Sequence, residues 1–175
     1  MKKEIMTVPP KILVGITART SNQLESDPST ASIGKTIGQY CAQNRGVLSS
    51  IVQENENLKV MQENLYSVYT EYESDKNGIY TFFVGNEINS LEFIEDLRAA
   101  GFHVLQTRAQ KYAKFTSDLG KMPDVCIALW RYIWGLSDEE LGGKRSYATD
   151  FEIYETNNFD PTNASVQIYI GIENL

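Results

Sequence analysis

Apolar and polar positions along the chain alternate between two periods, and the switches come in an order that repeats. Lys11 to Thr17 (KILVGIT) is an apolar, β-branched run that predicts a strand. A polar stretch from Arg19 to Thr30 follows. Ile33, Ile37, Tyr40 and Cys41 then recur at helical spacing within Ala31 to Cys41. A Glu- and Asn-rich connection leads to Leu65 to Glu73 (LYSVYTEYE), which predicts a second strand. Asn77-Gly78 closes a polar turn before a third, Ile79 to Gly85 (IYTFFVG), a hairpin signal.

The same order returns in the second half. Lys111 to Thr116 (KYAKFT) predicts a strand, Pro123 to Trp134 a helix, and Phe151 to Glu155 (FEIYE) and Val166 to Gly171 (VQIYIG) two further strands. Each half reads β-α-β-β. Residue echoes keep the same order: Ile16-Thr17 with Phe115-Thr116, Tyr72-Glu73 with Tyr154-Glu155, and Phe83-Val84-Gly85 with Tyr169-Ile170-Gly171. The expected organisation is one domain over residues 1–175, with repeat one at about 11–86, a connector at about 87–108 and repeat two at about 109–172. Within the connector, Asn89 and Glu92 stand at capping-box spacing ahead of a short helix, Ser90 to Ala100. One β-α-β-β unit has too little sheet to bury its helix. The fold class expected is therefore α+β, with two such units paired about a pseudo-twofold axis and a ligand groove between them.

The helix from Pro123 to Trp134 is apolar on nearly every side. Val125, Leu129 and Ile133 form a stripe suited to the sheet, while Ile127, Trp130 and Trp134 form a second stripe that needs another neighbour. Loops that bury both tryptophans as core, or a pocket that they wall, would each satisfy it. Along Phe151 to Glu155, strand alternation sets Phe151 and Ile153 on one face and Glu152 and Tyr154 on the other. Glu152 is either a solvated surface acid or a carboxylate among aromatic faces, which suits a delocalised organic cation.

Composition narrows the chemistry. A net charge of −7 argues against a nucleic-acid binder, and any ligand steered by this field would be a cation. Cys41 and Cys126 lie far apart and read as buried thiols rather than a disulfide. His103 is the only histidine, so His-based catalytic or zinc sites have little to draw on, and no metal or cofactor is expected. The N-terminal stretch lacks the apolar core of a signal peptide, and the run Val125 to Trp130 is too short to cross a bilayer. A cytoplasmic location without membrane contact is the expectation. Gly34-Lys35-Thr36 resembles the end of a P-loop but lies within the predicted helix.

Four segments carry a likeness to a known family: Val14 to Asn22, Tyr69 to Asp75, Ala109 to Phe115, and Asp150 to Glu155. Together, and in this order, they resemble the GyrI-like proteins, the effector-binding domains of bacterial transcription activators. The resemblance implies paired β-α-β-β (SH2-like) repeats and a groove in which the glutamate of an E-x-Y strand, here Glu152, meets aromatic side chains. With Glu152 the expected ligand-binding set is Trp130, Trp134, Phe83, Tyr154 and Tyr169. No helix-turn-helix region stands ahead of Lys11, so no direct nucleic-acid binding is expected. The primary expectation is non-catalytic binding of a small hydrophobic or cationic aromatic ligand by a sensor or sequestering protein. The alternatives are a hydrolase of strained electrophiles, using Glu152 with Tyr154 or Tyr169 to orient water, and a gyrase-inhibitor-like module whose protein partner is gyrase or the transcription machinery.

Overall fold

The computed structural model describes residues 1–157 and 159–174. Its strands form one antiparallel sheet in which β2 (Ile12–Thr20), β3 (Asn64–Thr70) and β4 (Tyr80–Ile88) come from the first half. β6 (Gln110–Thr116), β8 (Thr149–Glu155) and β9 (Gln167–Glu173) come from the second. The spatial order β6-β9-β8-β3-β4-β2 reads the same from either end: first strand outermost, third next, second at the centre. Two strands complete the path, β1 (Lys2–Val8) beside β6 and β5 (His103–Gln106) beside β2; a two-residue β7 (Lys144–Arg145) pairs with β9.

The register locates the pseudo-twofold axis. Val68 of β3 faces Phe151 of β8 across the centre; Phe83 lies beyond Val68 and Tyr169 beyond Phe151. Phe83 and Tyr169 thus stand at matching places on either side of the Val68/Phe151 pair. The α+β, duplicated β-α-β-β architecture read from the sequence is the architecture of the protein.

The sheet is also forced to curl. Six inter-strand steps separate β1 from β2 along the path, about 29 Å if the sheet were flat. Val8 and Ile12 bound the link between them, which spans at most about 14 Å of extended chain. The two ends must therefore approach each other. Accordingly Val8 from one end and Leu105 from the other share a cluster with Tyr66, Val68, Phe83, Tyr112, Phe151 and Tyr169. One face of the sheet is thus closed on its own aromatic side chains.

The helices cover the opposite face. In the first half α1 (Asn22–Glu25) precedes α2 (Ile33–Gln39), which runs through one π-helical turn (Tyr40–Asn44) into α3 (Arg45–Glu54). The predicted helix ending at Cys41 therefore continues to Glu54, because Leu48, Ile51 and Val52 prolong its apolar face. In the second half α5 (Asp124–Trp134) packs Leu129 and Ile133 against Ile168 and Ile170, and α6 (Asp138–Leu141) follows.

Several expectations are corrected. The connector helix, α4, is only Ile94–Ala99, and Asn89 does not cap it: its side chain accepts from the Lys59 N–H and donates to the Asn57 carbonyl. Cys41 and Cys126 are free thiols as expected, but Cys41 is exposed. β1 and β5 leave no pattern in the sequence: β1 exposes every residue except Val8, and β5 is four residues long, too little for a periodic signal. No helix among the described residues is long and apolar enough to cross a membrane.

Candidate functional site

On the helix-covered face, alternation along β8 brings Asp150, Glu152 and Tyr154 to one side, as the sequence pattern requires. Ser67 of β3 lies directly opposite Glu152, and Tyr69 two residues on. From above, α5 turns Trp130 down onto this row. Glu152 is 3% exposed. Its Oε1 accepts from the Trp130 indole N–H at 2.5 Å and from the Tyr69 hydroxyl at 2.8 Å, with the Cys126 thiol at 3.6 Å; Oε2 accepts from the Tyr154 hydroxyl. An indole N–H can only donate, so this set suits the acceptor-only carboxylate. Among the described residues no cation pairs with it.

Burial first, and the nearby Glu152 charge second, hold the Tyr69 and Tyr154 hydroxyls well above the usual phenol range. The Cys126 thiol is raised for the same two reasons, which leaves it protonated and unreactive.

Beside this cluster lies a cavity of about 440 Å³. Both halves build it. Ile33 and the tyrosines Tyr69, Tyr72 and Tyr80 come from the first half, and Trp130, Trp134 and Arg145 from the second. The rings are packed edge to face and tilted: Tyr69 to Trp130 at 5.1 Å, Tyr69 to Tyr80 at 5.6 Å, Tyr72 to Tyr80 at 5.5 Å and Trp130 to Trp134 at 6.0 Å. Asn22, Glu25, Lys76 and the exposed Arg131 supply polar groups at its edge.

A second buried acid stands next to the first. Asp150, fully buried, accepts from the Tyr72 hydroxyl at 2.7 Å, from Arg145 Nη2 at 2.6 Å and from the Gly171 N–H at 2.9 Å. Burial disfavours the charge on Arg145, but Asp150 together with the Tyr72 and Tyr147 phenols offsets this and holds the guanidinium above its ordinary value. Asp150 is thus neutralised internally, and Glu152 is not.

The structure divides the six residues singled out from the sequence. Trp130 and Trp134 are in the cavity wall; Glu152 lies one layer behind it, bonded to two wall residues, Tyr69 and Trp130; Tyr154 holds the far oxygen of Glu152. Phe83 and Tyr169 are not brought to this place. They belong to the aromatic cluster on the other face, where Tyr169 stacks on Phe151 at 4.4 Å. The physical reason is the pleat: Tyr169 is paired with Phe151 and so shares its face, while Ile168 and Ile170 point to the helices. The wall residues Tyr69 and Tyr72 lie inside the Tyr69 to Asp75 segment that carries the family likeness, but they have no separate signal of their own. Arg145 sits in the two-residue β7, too short to give any periodic signal. Among the described residues no group of three His, Cys, Asp or Glu side chains is placed to hold a metal.

Comparison with known proteins places this geometry. The sequence profile of a family described as Cass2, integron-associated effector binding protein, matches residues 4–172. YobU of Bacillus subtilis (strain 168), a proposed transcriptional regulator, is 29% identical over 163 residues, covering 93% of this chain and 92% of its own. The crystal structure of an integron cassette protein from the mobile metagenome of Vibrio cholerae superposes with a TM-score of 0.67 at 27% identity, covering 98% of this chain and 95% of that one. SAV2435 bound to tetraphenylphosphonium superposes with a TM-score of 0.60 at 16% identity, covering 99% and 94%.

Proposed function

Since the chain belongs to the Cass2 family of integron-associated effector-binding proteins, we propose that its aromatic cavity binds small organic cations with delocalised or aryl-shielded charge, as a sensor or sequestering protein rather than an enzyme. One observation carries this reading. Glu152 is a buried carboxylate without a cationic partner among the described residues, and two of its hydrogen bonds come from rings that line the cavity. A buried charge without its counter-charge is costly, and an entering cation would supply one. Aromatic faces around the cavity add cation–π attraction and bury the ligand's apolar surface. A neighbour in fold, SAV2435, binds such a cation. Glu152 lies behind the cavity wall and its Oε1 is taken up by two wall residues, which favours binding over hydrolysis.

Tetraphenylphosphonium and tetraphenylborate have the same shape and opposite charge. Isothermal titration should give binding of the phosphonium only. Glu152→Gln should weaken it by about 1–3 kcal/mol, the size of a charge-assisted contact. Equal binding of the two ions, or an unchanged affinity in the folded variant, would remove charge recognition from this site.

A further inference from the structure

The polar groups around the cavity differ in whether their hydrogen-bonding capacity is spent. Asn22 donates to the Lys76 carbonyl and accepts from the Tyr80 hydroxyl. Lys76 Nζ donates to the Trp134 carbonyl, and Glu25 receives Thr20, Ser32 and the Ile33 N–H. Arg131, which also lines the cavity, is exposed, so its donors are open to water. Arg145 differs in being buried. Its Nη2 donates to Asp150, but Nε is buried without a partner and Nη1 has none either among the described residues.

This guanidinium is not a mobile surface group. Its side chain is 10% exposed, its anchor Asp150 is fully buried, and its Cζ lies 4.6 Å from the ring centre of Tyr147, 5.9 Å from Trp130 and 6.0 Å from Tyr72. Buried donors left unmatched cost free energy and are uncommon unless water or a ligand completes them. Because Asp150 already balances the charge, what the wall lacks is acceptor lone pairs rather than another anion.

We propose that Arg145 is a second recognition point of the cavity, a fixed donor for an oxygen acceptor carried by the ligand, so that the favoured occupants are aromatic cations that also bear a carbonyl-type oxygen. This rests on the cation reading above and adds a requirement to it. The cation is held near Trp130 and Glu152, the acceptor near Arg145. The 5.9 Å between Arg145 and the Trp130 ring sets a short separation between the two groups, within reach of one aryl unit. The internal pairing with Asp150 lets both ends be occupied without direct repulsion.

The test compares tetraphenylphosphonium with (4-carbamoylphenyl)triphenylphosphonium, which keeps the charge and adds one carbonyl, by isothermal titration against the full chain. The wild type should bind the carbamoyl probe more tightly, by up to about tenfold, the range of one well-placed hydrogen bond. The double variant Arg145→Met/Asp150→Asn removes the pair without stranding a buried carboxylate, and should bind the two probes equally. If it does not fold, the Arg145 Nη–H resonances of the wild type supply the same information: they should shift with the carbamoyl probe and stay near their free positions with the parent ion. Equal or weaker binding of the carbamoyl probe, a preference that survives in the folded double variant, or an Arg145 resonance that responds to both probes alike, each overturns the proposal. In these cases the parent ion still binds and the cation reading stands. Binding of neither probe removes both.

Discussion

Tyr69 and Glu152 occupy equivalent positions in the two halves, each one residue beyond the Val68/Phe151 pair on the axis, and they are hydrogen-bonded to each other at 2.8 Å. A single place in the repeat has thus become a phenol in one copy and an acid in the other. Symmetry brings them together at the centre of the sheet, and their difference turns the centre into a polar site.

Trp130 links that centre to the cavity. Replacing it with Phe keeps an aromatic wall but strands Oε1 of Glu152 without its indole donor. The Trp130→Phe variant should lose about 1–3 kcal/mol of stability in urea unfolding. Tetraphenylphosphonium should alter the tryptophan emission of the wild type. An emission unchanged at saturation would place both Trp130 and Trp134 outside the ligand's reach.

The aromatic cluster on the other face provides the contrast. Phe83→Leu should cost about 1–2 kcal/mol of stability by loosening a fully buried position. Its phosphonium affinity should match the wild type, because the sheet separates Phe83 from the cavity. A clear fall in affinity at full folding would mean that the two faces communicate.

Gly15 and Gly85 face each other across β2 and β4, and a Cβ built on Gly85 would lie 2.1 Å from the Val14 carbonyl oxygen. Backbone cannot yield as a side-chain tip does. Gly85→Ala should destabilise by about 1–3 kcal/mol or more, read as a lower urea midpoint. An unchanged midpoint would show that the strands separate at little cost.

The buried phenols predict an alkaline limit. Tyr69, Tyr72 and Tyr154 are all held well above the ordinary value of 10.0, by burial first and by the neighbouring carboxylates next. Their contribution to stability is fully present below pH 10, where both states are protonated. It is lost as pH rises towards the raised folded values, because the unfolded chain releases its protons first. Spectrophotometric titration should show these three phenols ionising only with unfolding. Native-state ionisation near pH 10, traced by the corresponding Tyr→Phe variants, would contradict this.

The sequence by itself determined what neighbours along the chain can decide. The period-2 pattern of β8 put Glu152 and Tyr154 opposite Phe151 before any partner was known. The double apolar stripe of α5 required a second neighbour for Trp130 and Trp134. The repeated order of elements required two units about an axis. These are local properties, carried by residues a few positions apart. What only the tertiary structure decided depends on which strands meet and in what register. Tyr69 reaches Glu152 only because β3 and β8 pair at the centre. Phe83 and Tyr169, similar in type to the wall residues, face the other way because each shares a side with its own cross-strand partner. Arg145, from the two-residue β7 without periodic signal, is held in the site by Asp150, a buried acid on β8. The curl that closes the second face follows from a short link between distant strands, and no local pattern encodes it. Side-chain direction is set by the pleat and the helical turn, whereas the identity of a partner is set by chain closure across many residues.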